Sequence, residues 1–411
     1  MAQWIRVDRD RSADARGPAA DIAATPGQEW RLADRNGRVP TDGASPTNAP
    51  IDLDERRRAR PRIADVAREA GVSKTAVSFA FNSPERLSPE TAERILEVAD
   101  SLGYRPHPVA RMLTQRRTGT IGVLTPQALS VVFSNPFFGM FSEGVAVAAE
   151  TSGYALLFLS PLHGSLARAV GRATVDGCVA LGLSDTHPEV EQIRRAGLPT
   201  VFVDSPAFPA HGSVVVDDEG GARLAAKHVA SLGHREILVI GVEPPAPSSR
   251  LSPDGVMGHR LAGYRAALEP LGIPVPDDRL VVGPATIEGG MACLRRAWED
   301  GVRPTAVLAM SDAMAIGAMH AARELGLSVP RDLTVVGFDD IDLARYTSPA
   351  LTTVHQPVRR KGEEAVRLLL TAIETGEAGT PEQVRLPTRL IVRGSSGPAP
   401  VARKEVAASA W

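Results

Sequence analysis

The chain lacks most of what would tie a protein to a disulfide scaffold, a metal cluster or a lipid bilayer. Its only two cysteines among 411 residues, Cys178 and Cys293, are far apart and lack metal-ligand spacing. They are expected to be small apolar core residues in a reducing compartment, and the sequence asks for no metal and no cofactor. No run approaches the roughly 18 apolar residues of a membrane-crossing helix. The first ten residues, MAQWIRVDRD, carry charge where a secretory signal needs an apolar centre, so a cytoplasmic protein is expected. Aromatic residues are scarce at 4%, yet 43% hydrophobic and 23% charged residues keep the balance of a soluble globular protein and exclude a wholly disordered or fibrous one. No G-x-G-x-x-G or G-x-x-x-x-G-K-[ST] loop stands at a strand-to-helix turn, and no serine elbow, HExxH or Cys/His cluster occurs, so an enzyme is not expected.

The chain also lacks net charge, standing at −2. That total hides a division. Residues 1–55 sum to −3 and residues 119–411 to −5, whereas residues 56–118 hold 13 basic and 7 acidic side chains, a net +6. One basic segment beside an acidic bulk is the asymmetry of a module that meets phosphate, although clustering by chance gives the same sum.

Length alone implies two to three domains. Residues 1–59, rich in Asp, Arg, Ala, Pro and Gly, show no sustained apolar period and are read as a disordered extension. From Pro61 three short amphipathic segments follow. Ile63, Val66, Ala67 and Ala70 share a face, and Gly71 ends that helix. Ser73 caps a second helix in which Val77 and Phe81 face inward while Lys74, Thr75, Ser78, Phe79 and Asn82 face out. Ser88 caps a third, with Pro89 at its first position; Ile95, Val98, Ala99 and Leu102 bury, and Gly103 closes it. A helix, a glycine-containing turn and a second helix with a polar outer face make a helix-turn-helix over residues 60–105, a pattern that ordinary three-helix bundles share. Residues 106–118 then hold a proline-interrupted basic stretch, too short to be a stable helix alone.

After Thr118 the pattern becomes α/β. Short apolar runs at Ile121–Thr125, Ala155–Ser160, Gly177–Gly182, Thr200–Asp204, Val214–Asp217, Ile237–Gly241, Ala306–Met310 and Leu333–Phe338 read as buried parallel strands. Helical segments such as Gly220–Leu232, Arg260–Leu268 and Asp312–Leu325 separate them. This period over residues 119–397 suits two doubly wound lobes, with lobe 1 at about 119–217 and 355–384, lobe 2 at about 218–352 and 385–397, and a flexible tail over 398–411. Ligands of such folds sit beyond the carboxyl ends of strands, here in a cleft between lobes.

The segments IADVAREAGVSKTAVSFAFN, HPVARMLTQRRTGTIGVLTP, SNPFF, VVVDDEGGARLAAKHVASLGHREI, HRLAGY, MSDAMAIGAMHAARELGLSVPRDLTVVGFDDI and SPALTTVHQPV occur in that order. In them the sequence resembles the LacI/GalR family of bacterial transcription regulators, from about Arg60 to Ser396. The resemblance implies an all-α helix-turn-helix domain, a hinge helix and a two-lobed, periplasmic-binding-protein-like effector domain. It further implies a cytoplasmic homodimer, habitually a repressor, that binds double-stranded operator DNA of pseudo-palindromic sequence and responds to a small molecule. By the same resemblance Lys74 and Thr75 read bases, and Ser73, Ser78 and Asn82 hold phosphates. Phe79 departs from the family, which often has Arg there; a phenyl ring cannot donate to guanine, so it meets a thymine methyl, reads nothing, or packs on a neighbouring helix. Leu113 matches the hinge residue that wedges into the minor groove, Val109 and Ala110 would pack on the twin hinge, and His107 and Arg111, with Arg116 and Arg117, would touch the backbone.

In the cleft the resemblance places Asn135, Phe137, Phe138, Asp204, Arg260, Asp312, Asp339 and Gln356 at or beside ligand-contacting positions. Carboxylates and an arginine fork suit vicinal hydroxyls, which points to a sugar or polyol. The absence of a large aromatic around Gly283-Pro284-Ala285-Thr286 and the long loop Glu243–Gly255 keep a purine or another metabolite as the alternative.

Overall fold

The computed structural model describes residues 4–5, 31–32, 61–105, 117–183, 187, 189–205, 211–243, 255–376 and 382–400. The chain forms two compact units, Met1–His107 and Pro108–Trp411. In the first, β1 (Trp4–Ile5) and β2 (Arg31–Leu32) pair antiparallel. The rest of the 1–59 extension lies outside the described residues.

Three helices then follow, α1 (Ile63–Glu69), α2 (Lys74–Asn82) and α3 (Pro89–Ser101). Their boundaries are set by the expected chemistry. The Ser73 hydroxyl accepts from the Ala76 amide at 3.1 Å, the Ser88 hydroxyl accepts from Thr91 at 3.3 Å, and Gly71 and Gly103 adopt φ of +66°. Val66, Val77 and Ile95 are wholly buried at the centre of the bundle. Leu102 was expected to join them but is exposed: it is the C-cap of α3, at the end of the bundle beyond the last helical residue, Ser101.

The second unit runs β3 (Thr120–Leu124), α4 (Leu129–Ser134), α5 (Pro136–Thr151), β4 (Ala155–Leu159), α6 (Leu166–Arg172), β5 (Gly177–Leu181), α7 (Val190–Arg195), β6 (Thr200–Val203) and β7 (Ser213–Val216). It continues with α8 (Asp218–Ser231), β8 (Ile237–Val242), α9 (Val256–Leu268), β9 (Leu280–Gly283), α10 (Ile287–Glu299), β10 (Ala306–Ala309), α11 (Asp312–Glu324), β11 (Thr334–Asp339), β12 (Thr352–His355), α12 (Val358–Thr375), β13 (Gln383–Leu386) and β14 (Arg389–Ile391). Each of the eight expected strands forms, within a residue or so at either end. Four more form that were not expected: β9, whose LVVG is a short apolar run, and β12, β13 and β14, which mix polar residues into theirs. Three of the four are sheet edges, whose outer side faces solvent and tolerates polar residues.

Two six-stranded sheets result. Lobe 1 has the order β13-β7-β6-β5-β3-β4, wholly parallel; lobe 2 has β14-β12-β11-β10-β8-β9, parallel except for β14 against β12. Side chains alternate across each sheet. In β8, Leu238 and Ile240 enter the core beneath α10 and α11, whereas Ile237 and Val239 enter the one beneath α8 and α9. Both cysteines are free and buried in these cores, Cys178 in lobe 1 and Cys293 in lobe 2. The chain passes between lobes three times, after β7, after β12 and after β13, so the carboxyl ends of β6, β7 and β11 and the crossover Gln356-Pro357 come together. No helix among the described residues is long and apolar enough to cross a membrane.

Candidate nucleic-acid interface and effector cleft

In the first unit the outward face of α2 presents Lys74 and Thr75 exposed, with Ser78, Phe79 and Asn82 half-buried along the next turns. The Asn82 amide nitrogen donates to the Ser78 carbonyl at 3.0 Å, so these two residues brace each other. The Ser73 hydroxyl serves as the cap of α2. The guanidinium of Arg86 covers the Phe79 ring at 4.3 Å from its centroid. Arg86 comes from the single 3-10 turn Pro84–Arg86 that follows α2, a residue to which the sequence reading gave no role. His107, Val109, Ala110, Arg111 and Leu113 lie outside the described residues, as does Arg116.

The second unit contains a cleft cavity of about 540 Å³, lined from lobe 1 by Asp204, Ser205, Val216, Gln383 and Arg385 and from lobe 2 by Asp218, Arg223, Val256 and His259. Of the residues expected there, Asp204 alone borders the cavity. Arg260, Asp339 and Gln356 stand behind it in a buried polar chain. The Arg260 Nε donates to Asp218 at 2.8 Å, its Nη1 donates to the Met310 carbonyl and lies 3.7 Å from Asp339, and its guanidinium stacks on Phe338 at 3.6 Å. Gln356 Nε2 donates to Asp339 at 2.6 Å, and Gln356 Oε1 accepts from Lys361 Nζ at 2.5 Å. Lys361, with no exposed surface, also donates to both Asp204 oxygens at 2.7 and 2.8 Å. The chain therefore runs Asp218, Arg260, Asp339, Gln356, Lys361, Asp204, from lobe 2 to lobe 1.

Burial raises the carboxyls of Asp218 and Asp339, the latter to about 6, although Arg260 works in the opposite direction on both. Asp312 is wholly buried and its carboxyl is pushed well up by burial and then by Asp339. It accepts from the Ile341 amide at 2.9 Å and from the Thr353 hydroxyl, so it braces the loop after β11. Ser311 caps α11. Asn135 caps α5, its Oδ1 accepting from Phe137 N at 3.0 Å, while its Nδ2 donates across the cleft to Ala285 O at 3.2 Å. Phe137 and Phe138 meet edge to face at 5.7 Å, and the Phe137 ring lies 5.4 Å from Lys361 Nζ. Asp204, Asp339 and Asp340 hold φ of +53°, +120° and +58°, backbone strain gathered at the carboxyl ends of β6 and β11, as at a functional site.

The sequence reading missed Asp218 and Lys361. Both carried a signal. Asp218 belongs to an acidic pair at a strand-to-helix turn, and Lys361 falls with Val358, Gly362 and Ala365 on the buried face of α12, where a lone lysine needs partners. Among the described residues no group of three or more metal-ligating side chains is present.

Residues 62–107 match the family described as bacterial regulatory proteins, lacI family, and residues 226–396 match the periplasmic binding protein-like domain. The HTH-type transcriptional regulator CelR of Thermobifida fusca is 33% identical over 82% of this chain and 99% of its own length. Catabolite control protein A of Priestia megaterium is 32% identical over 81% and 98% of the two chains, and the HTH-type transcriptional repressor PurR of Vibrio atlanticus 33% over 76% and 92%. Among solved structures, a CelR–cellobiose complex is similar at 30% identity and a TM-score of 0.60, covering 82% of this chain and all of the other. The Lac repressor dimer bound to operator and the anti-inducer ONPF is similar at 26% identity and a TM-score of 0.69, with 82% and 99% covered.

Proposed function

Because this chain belongs to the LacI family of bacterial regulatory proteins, we propose that it represses transcription as a homodimer on a pseudo-palindromic operator, under the control of a polyhydroxylated effector held between its lobes. Two identical reading heads require a two-fold axis, with half-sites about one helical turn apart. Lys74 and Thr75 read base edges, and the exposed face of α2 presents them first. Ser78 and Asn82 set register on phosphates, and Ser73 acts as the cap. Leu113 is the minor-groove wedge, flanked by Val109 and Ala110, with His107 and Arg111 on the backbone.

The observation that carries the effector reading is the lining of the cleft. Asp204, Asp218, His259, Gln383 and Arg385 supply acceptors and donors, and among the described residues that line the cavity there is no Phe, Tyr or Trp. That chemistry grips vicinal hydroxyls; a flat base would want a large ring such as Phe, Tyr or Trp to stack on. Phe137 and Phe138 pack against the cores rather than bordering the cavity, and Asn135 links the lobes through Ala285. Arg260, Asp339, Asp312 and Gln356 act from behind by fixing Asp218, the β11 loop and Lys361.

Thermal-shift screening of the full-length protein with sugars, polyols and nucleobases tests this. A ligand at 100 times its Kd adds about 2.7 kcal/mol of stability. A sugar or polyol is expected to raise Tm, and His259→Ala or Gln383→Ala to abolish that rise without lowering the ligand-free Tm, since both side chains are exposed. Stabilisation by nucleobases alone would overturn the sugar reading.

A further inference from the structure

Phe79 stands one turn beyond Thr75 on the face of α2 that carries Lys74 and Thr75, where a side chain able to hydrogen-bond a base edge would be of most use. A phenyl ring has no donor. The structure supplies one from elsewhere. Arg86 lies over the ring at 4.3 Å, well within the roughly 6 Å reach of a cation–π contact. Its backbone is held at the same time: the Arg86 amide donates to Ser83 O at 3.0 Å, the Leu87 amide donates to Pro84 O at 3.0 Å, and Pro84 restricts φ at the start of the turn.

Arg86 is exposed, and no ion pair to it forms among the described residues. Stacking engages the face of a guanidinium and leaves its in-plane N–H groups free, so the fork stays available while the ring limits its freedom. One face of the Phe79 ring is thereby covered, and that face is closed to a thymine methyl.

We propose that Arg86 is a specificity-determining residue that reads a guanine in each operator half-site, with Phe79 as the positioning residue that holds its guanidinium at the outer face of α2. The fork matches guanine O6 and N7, the commonest specific contact in the major groove. This assignment deepens the operator-binding reading above and rests on it.

The test is selection from a randomised DNA duplex library by the full-length protein, comparing wild type with Arg86→Ala, Arg86→Lys, Phe79→Ala and Phe79→Tyr. The wild type is expected to enrich a two-fold symmetric site with a guanine at one pair of symmetry-related positions. Arg86→Ala should lose the preference there by about five- to a hundredfold and leave the remaining positions unchanged. Phe79→Ala should weaken the same position, whereas Phe79→Tyr, which keeps the ring, should retain it. Arg86→Lys should keep affinity but relax discrimination, because an ammonium cannot form the paired contact.

A uniform fall in affinity across sequences for Arg86→Ala, with a shallower salt slope, would make Arg86 a phosphate contact and overturn the proposal. So would Phe79→Ala altering a different position from Arg86→Ala. Failure of the wild type to enrich any symmetric site would sink the operator-binding reading itself, which separates the two.

Discussion

Arg260 has the chemistry to grip a ligand, yet its donors go to Asp218 and the Met310 carbonyl, and its planar group lies on Phe338. Replacing it therefore leaves two carboxylates buried without their cation. Arg260→Ala is expected to cost roughly 3–5 kcal/mol of unfolding free energy, read from urea denaturation of the ligand-free protein. A variant that keeps wild-type stability and loses only the effector response would instead make Arg260 a direct ligand contact. Asp339 gives a pH-dependent counterpart. Burial raises its carboxyl to about 6 from the ordinary aspartate value near 3.8, so between those two pH values the folded protein holds a proton that the unfolded chain has released. Stability from this group falls as pH rises through that window, and the cost of ionising it is complete above about 6. Asp339→Asn has no proton to lose, so its Tm should rise relative to wild type from pH 4 to pH 7; a constant difference would contradict the assignment. Asp340, next in sequence, behaves in the opposite way. Burial acts to raise its carboxyl, but hydrogen bonds from His355 and Arg393 overcome it and hold the group at about 2.

At the scale of elements, helix packing sets the tolerance to change. In α5, a Cβ built on Gly144 would stand 1.9 Å from the Arg359 carbonyl oxygen of α12, and a Cβ on Gly362 would stand 2.6 Å from the Phe141 carbonyl oxygen. The two helices touch backbone to backbone, and neither carbonyl can yield as a flexible side chain would. Gly144→Ala is expected to cost roughly 2–3 kcal/mol by urea denaturation. On the same helix Gly139 is exposed and its Cβ would meet nothing within 4 Å, so Gly139→Ala should stabilise by up to about 1 kcal/mol through helix propensity. Equal effects at the two sites would refute the close approach. The same packing explains what could be read in advance. A strand buried on both faces, such as β5 with GCVAL, is an uninterrupted apolar run. Edge strands such as β13, with QVRL, mix charge into the pattern and become visible only once the neighbour they pair with is in place.

For the whole molecule, the charge division has a measurable consequence. The segment with net +6 contains the helix-turn-helix, and the −5 of residues 119–411 discourages any other surface from lying on DNA. Operator affinity should fall by roughly a hundredfold or more between 50 and 200 mM salt, as measured by filter binding, because counterions are released at each neutralised phosphate. A flat salt response would mean that the basic segment does not meet DNA. The sequence by itself determined the three-helix head with its caps, the two doubly wound lobes and the outward face of α2 that exposes Lys74 and Thr75. Each of these depends on local periodicity, turn chemistry or motif order, which a linear chain displays. Tertiary structure alone decided that Arg260, Asp339 and Gln356 are bonded to protein, that Asp218 and Lys361 complete their chain, and that Arg86 covers Phe79. Hydrogen bonds and ring contacts link groups far apart in the sequence, 157 residues in the case of Lys361 and Asp204, and whether a polar side chain faces a ligand or another side chain depends on which groups folding brings within 3 Å.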